Sequence, residues 1–245
     1  MRSFAALAFV LAVVLGFADG ALAQSLTIDL GDNNTLTERA VQIVALLTIL
    51  SLAPSILVMV TSFTRIVVVL SLLRSALGLQ TAPPNTVMIA LALFLSAFIM
   101  APTFQQAYDA GVVPLMDGTI EMDEAFERSS EPFHVFMRNQ VRESDLALFQ
   151  DLANLPAPET PEEISLRVLV PAFMISELRR AFEIGFLLYL PFLIIDLVIA
   201  SLLMSMGMMM LPPVVISLPF KLIFFVLVDG WQLIAGSLVR SFGVG

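Results

Sequence analysis

The sequence predicts an all-α membrane protein, with four long apolar helices in two hairpins and a helical, acidic, extracytoplasmic insertion between them. Three observations carry that prediction. Hydrophobic residues make up 58% of the 245 residues and charged residues 13%, against about 45–50% and about 25% in an ordinary soluble domain. Charge-free apolar runs recur along the chain, at lengths near the ~20 residues with which a helix crosses a bilayer. Thirteen of the 21 acids fall between Asp109 and Glu163, against Arg128, Arg138 and Arg142 alone. The formal net charge of -9 is therefore concentrated in one water-facing stretch.

The same composition excludes several chemistries. There is no cysteine, hence no disulfide framework, thiolate nucleophile or thiolate metal site. A single histidine, His134, removes most imidazole-based metal and base schemes. No phosphate-binding glycine loop, nucleophile elbow or zinc-protease motif occurs, so the chain is read as no enzyme, with no catalytic residue, metal ligand or cofactor. His134, beside Phe133, reads as a surface or partly packed side chain. An acidic surface also makes nucleic acid an improbable partner.

Taken in order, Arg2 precedes an apolar run over residues 4–17, and Ala21-Leu22-Ala23 precedes Gln24. That arrangement reads as a cleavable signal over residues 1–23, cut after Ala23; the competing reading is an uncleaved anchor, which the shortness of the run opposes. Residues 24–39 are a polar lead-in. Residues 40–64 carry no charge and form the first span, kinked at Pro54. Arg65 and Arg74 follow with no acid before Asp109, so the positive-inside rule places a loop, residues 65–86, in the cytoplasm. Pro83-Pro84 turn the chain into a second span over residues 87–108, completing a hairpin of residues 40–108.

Residues 109–170 form the acidic extracytoplasmic region. Phe126, Phe133, Phe136, Met137, Val141, Leu148, Phe149 and Leu152 recur at spacings near three and four, the mark of amphipathic helices with one buried face. Thr160, Pro161 and Glu163 predict a new helix start: an N-cap, a proline at the first helical position and a capping-box glutamate.

Residues 171–245 form the second hairpin. Its first apolar run, residues 184–211, reaches about 42 Å as a helix, well beyond the ~30 Å of hydrocarbon. Asp196, Lys221 and Asp229 lie inside the apolar runs; leaving such groups in lipid costs about 2.5–3.5 kcal/mol each. Arg179 and Arg180 fall outside by alternating topology, against the usual bias. These misfits place the hairpin in a larger assembly. Lys221, the single lysine, has three possible fates: Asp196 across the hairpin, Glu177 or Glu183 of a neighbouring copy, or snorkelling to the interface. At the tip, five of the 13 methionines fall between Met204 and Met210. Soft thioethers repack easily, which suits either plain packing or a surface that closes around a variable object.

Three stretches resemble one family. They are residues 61–74 (TSFTRIVVVLSLLR) with Pro83-Pro84-Asn85, residues 171–186 (PAFMISELRRAFEIGF), and the series Pro191 to Asp196, Gly207 to Pro213, Ile216 to Lys221 and Val228 to Trp231. They are similar to the FliP family of flagellar type III export-gate subunits. The resemblance implies a membrane subunit of the basal body, in the bacterial inner membrane, forming a homo-oligomeric ring of five. It implies FliQ, FliR, FlhB and other export-apparatus proteins as partners, and unfolded flagellar proteins as cargo. It assigns Met208, Met209 and Met210 to a pore gasket and favours charge pairing between subunits, for which Glu177 and Lys221 are selected, with Asp196 as the alternative. A dewetted ring of thioethers is itself a barrier to ions. The nearest competing functions are the equivalent gate of a virulence injectisome and a proton-coupled solute transporter. The second lacks an inverted repeat, since the first hairpin has no intramembrane charge and the second has three.

Overall fold

A computed structural model describes residues 36–155, 160–208 and 210–243. The expected signal segment and its cleavage after Ala23 lie outside these residues. Among the described residues every regular element is helical. The chain divides into two compact units, Met1–Ser51 and Leu52–Gly245, and helix α1, Leu36–Met59, crosses from one to the other.

In the N-terminal unit the side chains of Val41, Ile43, Val44 and Leu47 are exposed. Thr48 Oγ1 donates back to Val44 O at 2.7 Å and Ser51 Oγ to Thr48 O at 2.8 Å. Returning hydroxyls to the preceding turn lets polar residues sit in an apolar helix without outside partners.

The second unit is centred on α2, Phe63–Ala76. Ile66, Val69, Leu70, Leu73 and Ala76 are buried, and the partly buried Val67 and Val68 pack against the same core. Only Ser71 and Ser75 of this helix are exposed, and a helix with so wide an apolar face turned inward belongs inside a protein. The expected loop over residues 65–86 is therefore corrected: most of it is a buried helix, and only residues 77–84 connect it to the next. That next helix, α3, Asn85–Ala107, passes through a π-helical turn, Tyr108–Val112, into the short α4, Val113–Met116. Gly111 lies where this turn crosses α5, Met122–Gln140. A Cβ on Gly111 would stand 2.5 Å from the Ala125 carbonyl oxygen, so this crossing admits no side chain.

Helix α6, Glu143–Ala153, ends on left-handed Asn154. The predicted apolar face of α5 and α6 is met only in part. Met137 is buried, but Phe126, Leu148 and Leu152 are exposed, while Ala125, His134, Gln140 and Asp145 are buried in their place. The difference arises because Ile164 O, Arg65 and Ser176 supply polar partners that admit His134, Gln140 and Asp145. His134, expected at the surface or partly packed, is buried, with Nε2 2.8 Å from Ile164 O.

The helix start expected at Thr160 is also displaced. Residues Pro161–Glu163 make a single 3-10 turn, and α7, Leu166–Ser205, begins after Ser165, whose Oγ accepts from Arg167 N at 3.3 Å. Ser165 is the better cap because its hydroxyl reaches the second helical N–H. Helix α7 continues through Pro171 and Pro191 for 40 residues. Helix α8, Pro213–Leu227, and α9, Gly230–Arg240, follow, bent by 63° at the break between them. The single fourth span expected from the sequence is thus two helices. Asp229, left-handed at φ 50, occupies the break.

Among the described residues two helical stretches are long and apolar enough to cross a membrane, Asn85–Met116 and Leu166–Ser205, and the bent pair α8 and α9 makes a third if counted as one span. Only 6% of the most apolar window of α7 is buried within the chain. An apolar surface of this extent requires lipid or other protein against it.

Candidate functional site

The turn between α7 and α8 is shaped by Gly207 at φ +73. Met208 N–H donates to Leu203 O at 2.9 Å and Gly207 N–H to Met204 O at 3.1 Å. This paired pattern closes a helix through a left-handed residue, a conformation that only a residue without Cβ adopts freely. The glycine stops the helix. Pro213 then takes the first helical position of α8, where its missing N–H costs nothing.

Around this turn the described methionines are exposed. Met206 is 69%, Met208 41% and Met210 98% exposed, and Met204 is exposed beside them. Met209 lies outside the described residues. No charged residue occurs between Asp196 and Lys221, and the one hydroxyl at the tip, Ser205 Oγ, donates back to Leu202 O at 2.8 Å, so the hairpin tip presents mainly thioethers.

At the base of the tip, Lys221 Nζ donates to Asp196 Oδ2 at 2.6 Å and to Ala76 O at 3.1 Å. Ser217 Oγ donates to Asp196 Oδ1 at 2.5 Å. Both carboxylate oxygens are therefore engaged. The ammonium also caps a terminal carbonyl of α2, where the helix dipole favours a cation. Lys221 is buried and the Asp196 side chain is 25% exposed. This cluster ties both arms of the hairpin to the end of α2.

A second cluster fixes the other end of the same helices. Arg65 of α2 donates from Nε to Glu177 Oε2 at 2.9 Å and from Nη2 to Glu177 Oε1. Nη2 also reaches Gln140 Oε1 at 3.1 Å, and Nη1 reaches Ser241 O at 3.1 Å and Ser241 Oγ at 3.0 Å. All five guanidinium N–H groups are thus used. The Phe242 ring lies 3.7 Å from Cζ, a stacked cation–π contact. Arg65 and Glu177 are both 0% exposed. One side chain joins α2, α5, α7 and the segment after α9.

Of the three residues selected for pairing, Lys221 and Asp196 meet within the chain, and Glu177 meets Arg65 instead. Sequence reasoning gave Arg65 a membrane-flanking role and overlooked Ser217, Gln140 and Ser241. Ser217 was legible in principle: it lies one helical turn before Lys221, on the same face. Gln140 and Ser241 carry no local signal. A third contact, Ser176 Oγ donating to Asp145 Oδ2 at 2.7 Å while accepting from Arg142 N at 3.1 Å, anchors the start of α6 on α7.

A family model described as the FliP family matches residues 46–238, a range that contains the methionine turn and both ion pairs. The chain belongs to the FliP family. A Caulobacter vibrioides relative is 66% identical over 226 residues, covering 92% of this chain and 85% of that protein. One from Bacillus subtilis is 56% identical over 202 residues, covering 82% and 91%, and one from Pectobacterium carotovorum is 57% identical over 203 residues, covering 83% and 79%. All three bear the name flagellar biosynthetic protein FliP. The FliP-family match ends at Leu238, three residues short of Ser241, so the residue that closes the Arg65 cluster lies just past the matched range.

Proposed function

We propose that this FliP-family chain, a flagellar export-apparatus subunit, uses its methionine turn to seal the pore through which unfolded flagellar proteins leave the cell. The observation that carries the reading is the tip itself. Exposed thioethers without a nearby charge stand on a helical hairpin whose base is pinned by Lys221 and Asp196. A narrow apolar constriction excludes ions by dewetting, and flexible thioethers can repack around diverse side chains. Met208, Met209 and Met210 are the proposed gasket.

The wider arrangement follows from the same reading. The chain sits multi-pass in the inner membrane, with residues 1–23 removed, residues 109–170 on the outer side and the two apolar hairpins between. A ring of five copies, joined by FliQ, FliR and FlhB, would cover the bare faces of α3, α7 and α8. The Asp196–Lys221 and Arg65–Glu177 pairs keep each hairpin rigid while the tip moves. The flagellar names of the relatives do not favour an injectisome. Replacing Met208, Met209 and Met210 by alanine tests the gasket. Assembly stays intact and the membrane becomes leaky to small ions; unchanged permeability with normal secretion refutes the reading.

A further inference from the structure

The chain has no cysteine, so within it sulfur chemistry belongs to methionine. Its described methionines differ in environment, with Met59 and Met174 half-buried. Met88, Met100 and Met137 are buried, while Met204, Met206, Met208 and Met210 crowd one exposed turn. Met116 and Met122 are also exposed but stand apart from that turn. Thioether oxidation by a small oxidant follows access to sulfur, and it turns a flexible apolar side chain into a polar one.

We propose that the methionine turn is an oxidation-sensitive site, at which hypochlorous acid converts the exposed thioethers of Met204, Met206, Met208 and Met210 to sulfoxides and so breaks the ion seal. The proposal rests on the gasket reading above. In the reaction the sulfur takes the oxygen of hypochlorous acid. Sulfur loses two electrons, chlorine gains two, and chloride and a proton leave. Each sulfoxide brings a strong hydrogen-bond acceptor to a tip that otherwise offers no charged side chain and lies between stretches of valine, leucine and phenylalanine. A constriction that excludes ions because water is scarce in it then holds water. The oxidant reaches the tip through the pore, because the same geometry that lines the lumen with thioethers exposes them to solutes in it. Reduction of the sulfoxides by enzymes specific for the two epimers restores the apolar lining, which makes the change reversible.

The test uses the assembled export complex in lipid vesicles loaded with a potassium indicator. Hypochlorous acid is added, potassium efflux is followed, and the same sample is digested for peptide mass spectrometry. The expected result is a gain of one oxygen mass at the tip methionines, none at Met88, Met100 or Met137, and the appearance of efflux. Both methionine sulfoxide reductases with dithiothreitol abolish that efflux. A complex with leucine at positions 204, 206, 208, 209 and 210 keeps a similar side-chain volume and stays tight under oxidant. Tip sulfoxides without efflux overturn the proposal, as does efflux that persists after reduction. Neither of those readouts depends on the leucine variant assembling. The alanine variant at Met208, Met209 and Met210 separates the two readings. If it leaks and the oxidised wild type does not, the oxidation site alone fails; if it does not leak, the gasket fails and takes the oxidation site with it.

Discussion

Replacing Glu177 by glutamine should unfold this protein more readily than any surface substitution. In the native chain two of the five N–H donors of Arg65 meet Glu177, and the other three meet the neutral acceptors Gln140 Oε1, Ser241 O and Ser241 Oγ. The amide in Glu177→Gln keeps one acceptor but turns an N–H towards a guanidinium N–H. A cation with 0% exposure is then left without a counter-charge. Removing one partner from a buried pair costs about 3–5 kcal/mol. At roughly 2–4 °C per kcal/mol for a chain of this size, the melting temperature falls by something on the order of 6–20 °C. Circular dichroism melts of the detergent-solubilised protein measure it. The double variant Arg65→Met with Glu177→Leu supplies the control, because apolar replacement of both partners of a buried pair is often neutral or stabilising. A drop of less than about 2 °C in the single variant, under ~1 kcal/mol on the same scale, refutes the reasoning. So would a double variant less stable than the single one.

Three further outcomes follow from the same geometry. Lys221→Met should cost the lower end of the ~3–5 kcal/mol expected for a broken buried pair, because the Asp196 carboxylate is 25% exposed. Exchanging the two charges, Asp196→Lys with Lys221→Asp, should recover part of the lost stability in thermal melts, whereas Glu177→Lys with Lys221→Glu should recover none, since Arg65 would then face a lysine. Gly207→Ala forces a Cβ into a left-handed residue at φ +73 and should cost about 1–2 kcal/mol, read as a lower melting temperature; an unchanged melt would show that the helix ends some other way. Outside the apolar helices, Glu162 is held below the usual carboxylate range by its own backbone N–H first and by Arg138 next. A depressed folded-state value means that its contribution is present above the ordinary carboxylate pKa and lost as pH falls through the folded value. Titration by NMR should show Glu162 protonating at lower pH than an unstructured glutamate, and the difference should shrink in Arg138→Gln.

The membrane class, the helical content and the position of the sulfur-rich turn were legible in the residues themselves. Composition and charge-free runs report what the solvent must be, and glycine and proline act on their own backbone wherever they stand. Asp196 with Lys221 was legible as one of several pairings, because counting helical rise from the turn brings the two to similar depth. Residues 65–86 were misread because Arg65 and Arg74 look like charges at a membrane surface when only sequence neighbours are considered. The Arg65 site draws its acceptors from Gln140, Glu177 and Ser241, distant in sequence and invisible to any local pattern. The same cause explains the exposed Phe126 and the buried His134: periodicity locates a face, but the neighbouring helix decides what that face touches.

By itself, then, the sequence determined that the chain is helical and apolar, where the long hairpin turns and what chemistry its tip presents, because these depend on side chains and backbone within a few residues. Only the tertiary structure decided that α2 is the buried centre and that each charge of the two ion pairs finds its partner inside the chain. A buried charge is tolerated only where several distant elements converge to satisfy every donor and acceptor, and that convergence exists only once the helices have packed.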